Sequence, residues 1–334
     1  MINVTGDAPR VHRIGLIGAG DVVRRFWSKT LAARDDVWVV GVCSAGGRTA
    51  ENVAALHGSD ILASHEDLIA HPDVDTVLVV SPPHTHLDIA ATALQAGKQV
   101  LIEKPLCANL ADARALLAEG RAAPGVFGVT FNNRLRENNA WVRDQALAGA
   151  VGEPRAIRLK WWRTKGLPGE AWRADPNRAF GGVLADLGSH LLSMGLAAVP
   201  ARRRFTASCR LSVHRGDDPR LDHRADADVV INDFCRINLS AAWGAALEKP
   251  VDFAFDVTGT LGQLSASNYP GASGDGYSAV LDNFLSDVAR SHQPDLNLFE
   301  DVMIVLDALY RAADLGRPVE GQFVAGERPD EAGI

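Results

Sequence analysis

The sequence predicts an α/β protein: an N-terminal doubly wound parallel sheet, then a C-terminal α/β domain with a largely antiparallel sheet. Three observations lead there. Apolar runs alternate with helical stretches over about the first 130 residues, as strand–helix–strand units require. A glycine turn, Gly18-Ala19-Gly20, joins the first strand to the first helix. Beyond Asn132 the strands lengthen and one shows a two-residue apolar alternation, the mark of a sheet with one buried face.

Residues 11–17 form a short apolar strand that runs into the glycine turn, and 21–33 read as a helix with Val22, Val23, Phe26 and Leu31 as its apolar positions. The run Val37-Trp38-Val39-Val40-Gly41-Val42-Cys43 is nearly all apolar, as a strand covered on both faces demands. A helix at 51–57, a weak strand at 61–64 and a short helix at 65–70 follow. The strand at 76–80 is closed by Ser81-Pro82-Pro83, and the helix at 86–96 by Gly97, a C-cap residue. The strand at 99–102 ends in Glu103-Lys104-Pro105. A helix at 110–120 and a strand at 126–131 complete the alternation.

After Asn132 a helix is predicted at 137–148, and strands at 156–163, 204–213, 228–239 and 252–264. In the first of these, Ile157, Leu159 and Trp161 share one side and Arg158 and Lys160 the other. One face of this sheet is therefore exposed or an interface. Between the first two strands, 166–200 reads as a loop and then a helix around His190. Helices at 277–291 and 298–315 follow, the last stopped by Gly316-Arg317-Pro318. The expected division is a dinucleotide-binding domain at 1–131, a substrate-binding and oligomerisation domain at 132–323, and a disordered tail at 324–334.

Composition narrows the function classes. The 334 residues are 47% hydrophobic and 22% charged, enough for two packed domains. The formal net charge of −7 gives no reason to expect nucleic acid or an anionic membrane as a partner. The basic run Arg202-Arg203-Arg204 reads as a solvated strand end. No apolar stretch approaches the roughly 18 residues of a membrane span, and residues 1–12 lack the apolar core of a signal peptide. The four cysteines are scattered without a Cys-x-x-Cys pair, which fits a reducing cytoplasm. No cluster has metal-ligand spacing, so no metal is expected, and no Gly-x-Ser-x-Gly motif marks a serine hydrolase.

The glycine turn carries the first chemical signal. Gly18 allows the tight turn, and Gly20 lets a pyrophosphate approach the backbone amides of Ala19, Asp21, Val22 and Val23 at the helix N-terminus. Val23 replaces the third glycine of the usual Gly-x-Gly-x-x-Gly pattern. The second strand ends Cys43-Ser44-Ala45-Gly46-Gly47-Arg48, without the acid that would bind an NAD ribose; Ser44 and Arg48 suit a 2′-phosphate instead. This favours NADP over NAD, unless Arg48 simply faces solvent.

The second signal is Lys104, at the C-terminal end of a strand, where open α/β sheets bind ligands. Its amine suits polarising a substrate hydroxyl. The third is Asp186 and His190, four apart on one helix face, where the carboxylate can orient an imidazole that exchanges protons near neutral pH. A surface ion pair is the plain alternative. His84 and His86 flank Thr85 after Ser81-Pro82-Pro83 and either line the crevice or cap a helix.

These motifs, with Ala96-Gly97-Lys98-Gln99-Val100-Leu101-Ile102-Glu103-Lys104-Pro105 and Phe131-Asn132-Asn133-Arg134, resemble the glucose-fructose oxidoreductase / inositol dehydrogenase / rhizopine catabolism (Gfo/Idh/MocA) family over residues 12–320. The resemblance implies a Rossmann domain and a homodimer or homotetramer formed through the open sheet face. It implies catalytic Lys104, Asp186 and His190, with Ser81, Pro82, His86 and Glu103 beside the cofactor. Asn132, Trp162, Arg163 and Trp172 are candidates for the substrate pocket. The implied reaction is hydride transfer between a nicotinamide and a secondary alcohol or ketone of a sugar, cyclitol or related compound. Ser193 stands where many members carry an acid, which leaves room for a non-sugar carbonyl substrate. A nucleotide-binding regulator without chemistry is the third reading.

Overall fold

The computed structural model describes residues 11–166, 171–214, 217–266 and 276–324. The first sheet has six parallel strands: β1 (His12–Ile17), β2 (Val37–Cys43), β3 (Asp60–Ile61), β4 (Thr76–Val79), β5 (Gln99–Glu103) and β6 (Phe127–Thr130). Their order is β3-β2-β1-β4-β5-β6, so the chain reverses direction of growth at β1 and β4. The intervening helices are α1 (Ser28–Ala32), entered through a π turn at Val23–Trp27, α2 (Gly47–His57), α3 (His65–Ala70), α4 (His86–Gln95) and α5 (Leu110–Ala122). Local chemistry sets several boundaries. Ser64 and Asn109 accept hydrogen bonds from the amides of Asp67 and Asp112, capping α3 and α5. Gly58 ends α2 in the left-handed conformation.

The second half contains α6 (Glu137–Leu147), β7 (Pro154–Arg163), α7 (Pro176–Ala179), α8 (Ser189–Ala197), entered through a π turn at Leu184–Gly188, then β8 (Arg204–Val213), β9 (Asp222–Ile231), β10 (Cys235–Ala242), β11 (Val251–Gly259), β12 (Gln263–Ala266), α9 (Tyr277–Arg290), α10 (Asn297–Leu315) and β13 (Val319–Gln322). The seven strands are ordered β12-β11-β7-β10-β9-β8-β13. All neighbours are antiparallel except β7 and β10. The α/β class and both sheet types agree with the sequence.

Several expectations need correction. The strand expected at 228–239 is two strands joined at Asn232 and Asp233, which both take positive φ, 51° and 67°. Asn and Asp tolerate that conformation and make the tight hairpin turn. The strand expected at 252–264 likewise breaks into β11 and β12, and β13 was not foreseen. Arg202 is not solvated: it binds Asp301 at 2.9 Å and the carbonyls of Leu196 and Val199 at 2.7 and 2.9 Å. Residues Pro176–Ala197 are long and apolar enough to pass for a membrane span, but 89% of that window is buried inside the protein. Of the expected tail, Val324 donates its amide to Asp301 at 2.9 Å; 325–334 lie outside the described residues.

Helix α9 lies far beyond residue 131, yet it packs on the first sheet. Its Tyr277, Val280, Leu281, Phe284, Leu285 and Val288 join Ile14, Leu16, Val23, Trp27 and Leu101 in one core. Phe284 lies so near β6 that a Cβ on Gly128 would meet it at 3.0 Å. Tyr277 stacks on Phe26 with ring centres 5.1 Å apart. Each such side chain, once buried, contributes about 1.5–3 kcal/mol.

Candidate active site

The glycine turn sits where the sheet reverses. Gly18 has φ +99°, and a Cβ there would lie 2.6 Å from the Val80 carbonyl oxygen, so only glycine fits. Its amide donates to Cys43 O at 2.7 Å, and the Val80 amide to Ile17 O at 2.7 Å, which ties β1 to the ends of β2 and β4. The first amides of the following helix have no acceptor within it, the arrangement that receives an anion. Ala19 and Val23 turn their side chains into the core, leaving only their backbone for a ligand. Val23 occupies the position where a third glycine would allow close helix packing, and there the helix opens into its π turn. Asp21 bonds Arg25 at 2.9 Å. Ser44 is partly exposed, its Oγ 3.4 Å from the Gly46 amide; Arg48 is exposed in the first turn of α2.

β5 delivers Lys104 to the same edge. Lys104 Nζ donates to Asp186 Oδ1 at 2.7 Å and to the Asp186 carbonyl at 3.0 Å. Asp186 also faces Arg163 at 3.3 Å and Arg173 at 3.5 Å. Burial alone would raise this carboxyl's pKa, but the three cations hold it far below the usual range, so it is ionised. Asp186 lies in the π turn before α8, where an extra residue per turn re-aims the side chain. His190, one turn on, is 5% exposed and walled by Phe131 and Trp161, ring centres 6.2 and 5.7 Å away. Burial, followed by the charge of Lys104, pushes its pKa well below 6.5, so the ring is neutral at neutral pH. Its Nδ1 has no hydrogen-bond partner among the described residues.

Asp186 and His190 do share a helix, but the carboxylate is spent on Lys104 and the two arginines rather than on the imidazole. Asn132 is buried in the turn directly after β6. Trp172 lies under the Arg173 guanidinium at 4.3 Å, and so beside the Asp186 group. Ser193 is buried, its hydroxyl donating to the His190 carbonyl at 2.7 Å.

Three expected contacts are not made as foreseen. His86 is wholly enclosed, its nitrogens against the carbonyls of Leu106 at 3.0 Å and Ser81 at 2.8 Å. It ties the Ser81-Pro82 loop to the segment after Lys104 rather than facing a cofactor. Glu103 is also buried; it accepts from Trp27 Nε1 at 2.8 Å and from the Lys104 amide at 3.2 Å, and burial pushes its pKa up to about 7. Trp162 points to the opposite face of β7, donating to Ser240 at 2.9 Å beneath Lys160 and Arg224. The strand's period of two sends Trp161 and Arg163 to the site and Trp162 away. Trp161, which the sequence places on the apolar side of its strand, lines the site together with Arg173, while Trp27 holds Glu103. The alternation already read along β7 carried the signal for Trp161; nothing in the sequence marked the other two.

A six-stranded parallel sheet with a glycine turn at its strand-order reversal, matched by the family model for its residues, places the chain among NAD-binding oxidoreductases. It belongs to the Gfo/Idh/MocA family: residues 12–131 match the oxidoreductase family, NAD-binding Rossmann fold, and 140–265 the GFO/IDH/MocA C-terminal domain. The chain is 32% identical over 183 residues to a 1,5-anhydro-D-fructose reductase of Ensifer adhaerens, covering 54% of each chain. It is 28% identical over 200 residues to a D-glucoside 3-dehydrogenase of Escherichia coli K12, covering 58% of this chain and 56% of the relative. It thus spans about half the length of the curated relatives it matches. The crystal structure of GenD2 from gentamicin A biosynthesis, in complex with NAD, shares the fold with a TM-score of 0.81 at 22% identity, over 95% of this chain and 98% of the other.

Proposed function

We propose that the protein transfers a hydride between a nicotinamide dinucleotide and a secondary alcohol or ketone of a sugar or cyclitol. The observation that carries this reading is the Lys104–Asp186 pair at 2.7 Å, with a buried neutral His190 one helical turn further on. The nicotinamide supplies the hydride acceptor or donor. The protein's residues handle the proton and the oxygen. Lys104, its charge held by Asp186, donates a hydrogen bond to the substrate oxygen and stabilises the negative charge that develops there. His190, neutral and shielded by Phe131 and Trp161, accepts the hydroxyl proton on oxidation. Asn132, Arg163 and Trp172 border the reacting carbon. The related reductase and dehydrogenase both act on sugars by name, which supports this substrate class.

The cofactor in this reading is NADP(H) in preference to NAD(H). The residues after β2, Ser44 to Arg48, include no carboxylate to pair a ribose 2′-hydroxyl, and Arg48 has no ion pair among the described residues. The open face of the second sheet, a concavity of about 930 Å³ lined by Arg158, Lys160, Trp162, Asp226, Asn238 and Ser240, serves as the surface for a homodimer or homotetramer.

The test pairs binding with turnover. NADPH and NADH are titrated by tryptophan quenching, and turnover is measured on myo-inositol, D-glucose and 1,5-anhydro-D-fructose. NADPH binds more tightly, and Lys104→Ala abolishes turnover while its cofactor affinity stays near wild type. Turnover retained by Lys104→Ala within a few-fold refutes the catalytic assignment; tighter NADH binding refutes only the cofactor assignment.

A further inference from the structure

The helix that carries Asp186 and His190 cannot cap its own start. Its first internal backbone bond runs from the Asp186 amide to the Gly182 carbonyl at 3.0 Å, so Gly182 holds the capping position. Glycine has no side chain with which to satisfy the amides that follow. No other residue fits there: a Cβ on Gly182 would lie 2.2 Å from the Asp222 carbonyl oxygen, and one on Gly181 would lie 2.1 Å from the Tyr310 hydroxyl.

Two side chains from distant strands and helices fill the role. Asp222, at the start of β9 and fully buried, accepts from the Gly182 amide at 3.0 Å and the Leu184 amide at 2.8 Å. Tyr310, on α10, donates its hydroxyl to Asp222 Oδ1 at 2.8 Å and accepts from the amides of Gly182 and Ala185, each at 3.2 Å. Just before them Phe180 takes φ +75°, a costly conformation for a bulky residue, and its ring packs against Tyr310 with centres 5.8 Å apart. Tyr310 and Asp222 thus grip the chain on both sides of the turn that launches the helix. Asp186 follows Ala185 directly, within the π turn.

We propose that Asp222 and Tyr310 are positioning residues for hydride transfer: by capping this helix from outside, they fix where Asp186 meets Lys104 and where His190 stands. The inference rests on the catalytic reading of Lys104, Asp186 and His190 given above. Neither residue touches that group. Each acts through the backbone of Gly182, Leu184 and Ala185. An error of about 1 Å in such a placement can cost on the order of 10²-fold in rate, and removal of the Tyr310 hydroxyl, which takes three of the five bonds of this cap and leaves Asp222 its two amide bonds, is a smaller disturbance.

The test uses the full chain, with whichever of the three probes above wild type turns over best. Tyr310→Phe removes the hydroxyl and keeps the ring. It lowers kcat by about tenfold, leaves dinucleotide Kd within a factor of about two of wild type, and speeds amide hydrogen exchange at Gly182 and Ala185 but not at 192–196. Asp222→Asn, which keeps one acceptor oxygen, loses less kcat than Asp222→Ala. Wild-type kcat in Tyr310→Phe, alongside an inactive Lys104→Ala, overturns this inference alone. An active Lys104→Ala overturns the catalytic reading beneath it. Where a variant does not fold, wild type decides: rapid exchange of the Gly182, Leu184 and Ala185 amides shows that no such cap holds the helix.

Discussion

Lys104 and Asp186 meet at 2.7 Å across 82 residues of sequence, and through them the first sheet is joined to the helix of the second half. Arg163 and Arg173 converge on the same carboxylate from two further segments. Removing its charge leaves three cations facing one another with little solvent to screen them. Asp186→Asn therefore lowers kcat by about 100-fold while dinucleotide affinity changes little. Steady-state kinetics beside a cofactor titration check this; wild-type kcat shows the pair to be structural only.

The buried imidazoles weaken the fold on mild acidification. Burial lowers the pKa of His86 to about 4 and that of His190 well below 6.5. Below pH 6.5 the unfolded chain takes up protons that the folded chain refuses, so their contribution is whole above pH 6.5 and is lost as the pH drops toward 4. Each group's slope approaches about 1.4 kcal/mol per pH unit. Glu103 acts in the opposite sense. Its pKa, raised to about 7, makes folding bind a proton that the unfolded carboxyl has released, so it favours the folded state as the pH falls from 7 to 4.5. His57 and His84, also lowered in pKa, side with the two imidazoles, and Asp222, Asp287, Asp301 and Asp307, raised by burial, side with Glu103. The part due to His86 is read from its variant: in thermal melts from pH 6.5 to 4.5, His86→Asn loses less Tm on acidification than wild type. An equal or larger loss contradicts the burial argument.

The two adjacent tryptophans of β7 lie on opposite faces of the second sheet. Trp161 packs beside His190 and Phe253, whereas Trp162 lies on the open sheet face. Trp161→Phe raises KM several-fold without changing the molecular mass in solution. Trp162→Ala keeps kcat and shifts light scattering toward the monomer. Exchanged outcomes mean that the faces have been assigned the wrong way round.

Gly18 tolerates no side chain. Gly18→Ala drives a Cβ toward the Val80 carbonyl in a region of φ that L-residues resist. Dinucleotide Kd rises at least tenfold, and the strain costs about 1–2 kcal/mol of stability. Isothermal titration and urea unfolding measure the two effects separately.

Much of this architecture is legible in the sequence because backbone periodicity is local. The nearly all-apolar run at 37–43 reads as a covered strand, which holds for residues 39–42 but not for the exposed Trp38, and the alternation along 156–163 names the buried face of β7. The same alternation, applied one residue further, assigns Trp161 rather than Trp162 to the site. What resists reading is set by partners distant in the chain. His86 looks like a crevice residue until the Leu106 carbonyl is seen against its ring. Glu103 looks like a ligand contact until Trp27 claims it. Arg173 meets Asp186 through a tertiary contact that no local pattern announces. The Asn232-Asp233 turn was readable from residue type alone, but it is hidden between two strands of like composition.

Helix α9 has a consequence for how the chain is made. It supplies part of the apolar cover of the first sheet, although more than a hundred residues separate it from β6. A ribosome that has released the six strands and five helices of that sheet has not yet released its lid. The nascent sheet must stand with Ile14, Leu16 and Leu101 incompletely covered until residue 290 emerges. Synthesis thus imposes an order on folding that the finished molecule conceals: the part made first is the part completed late.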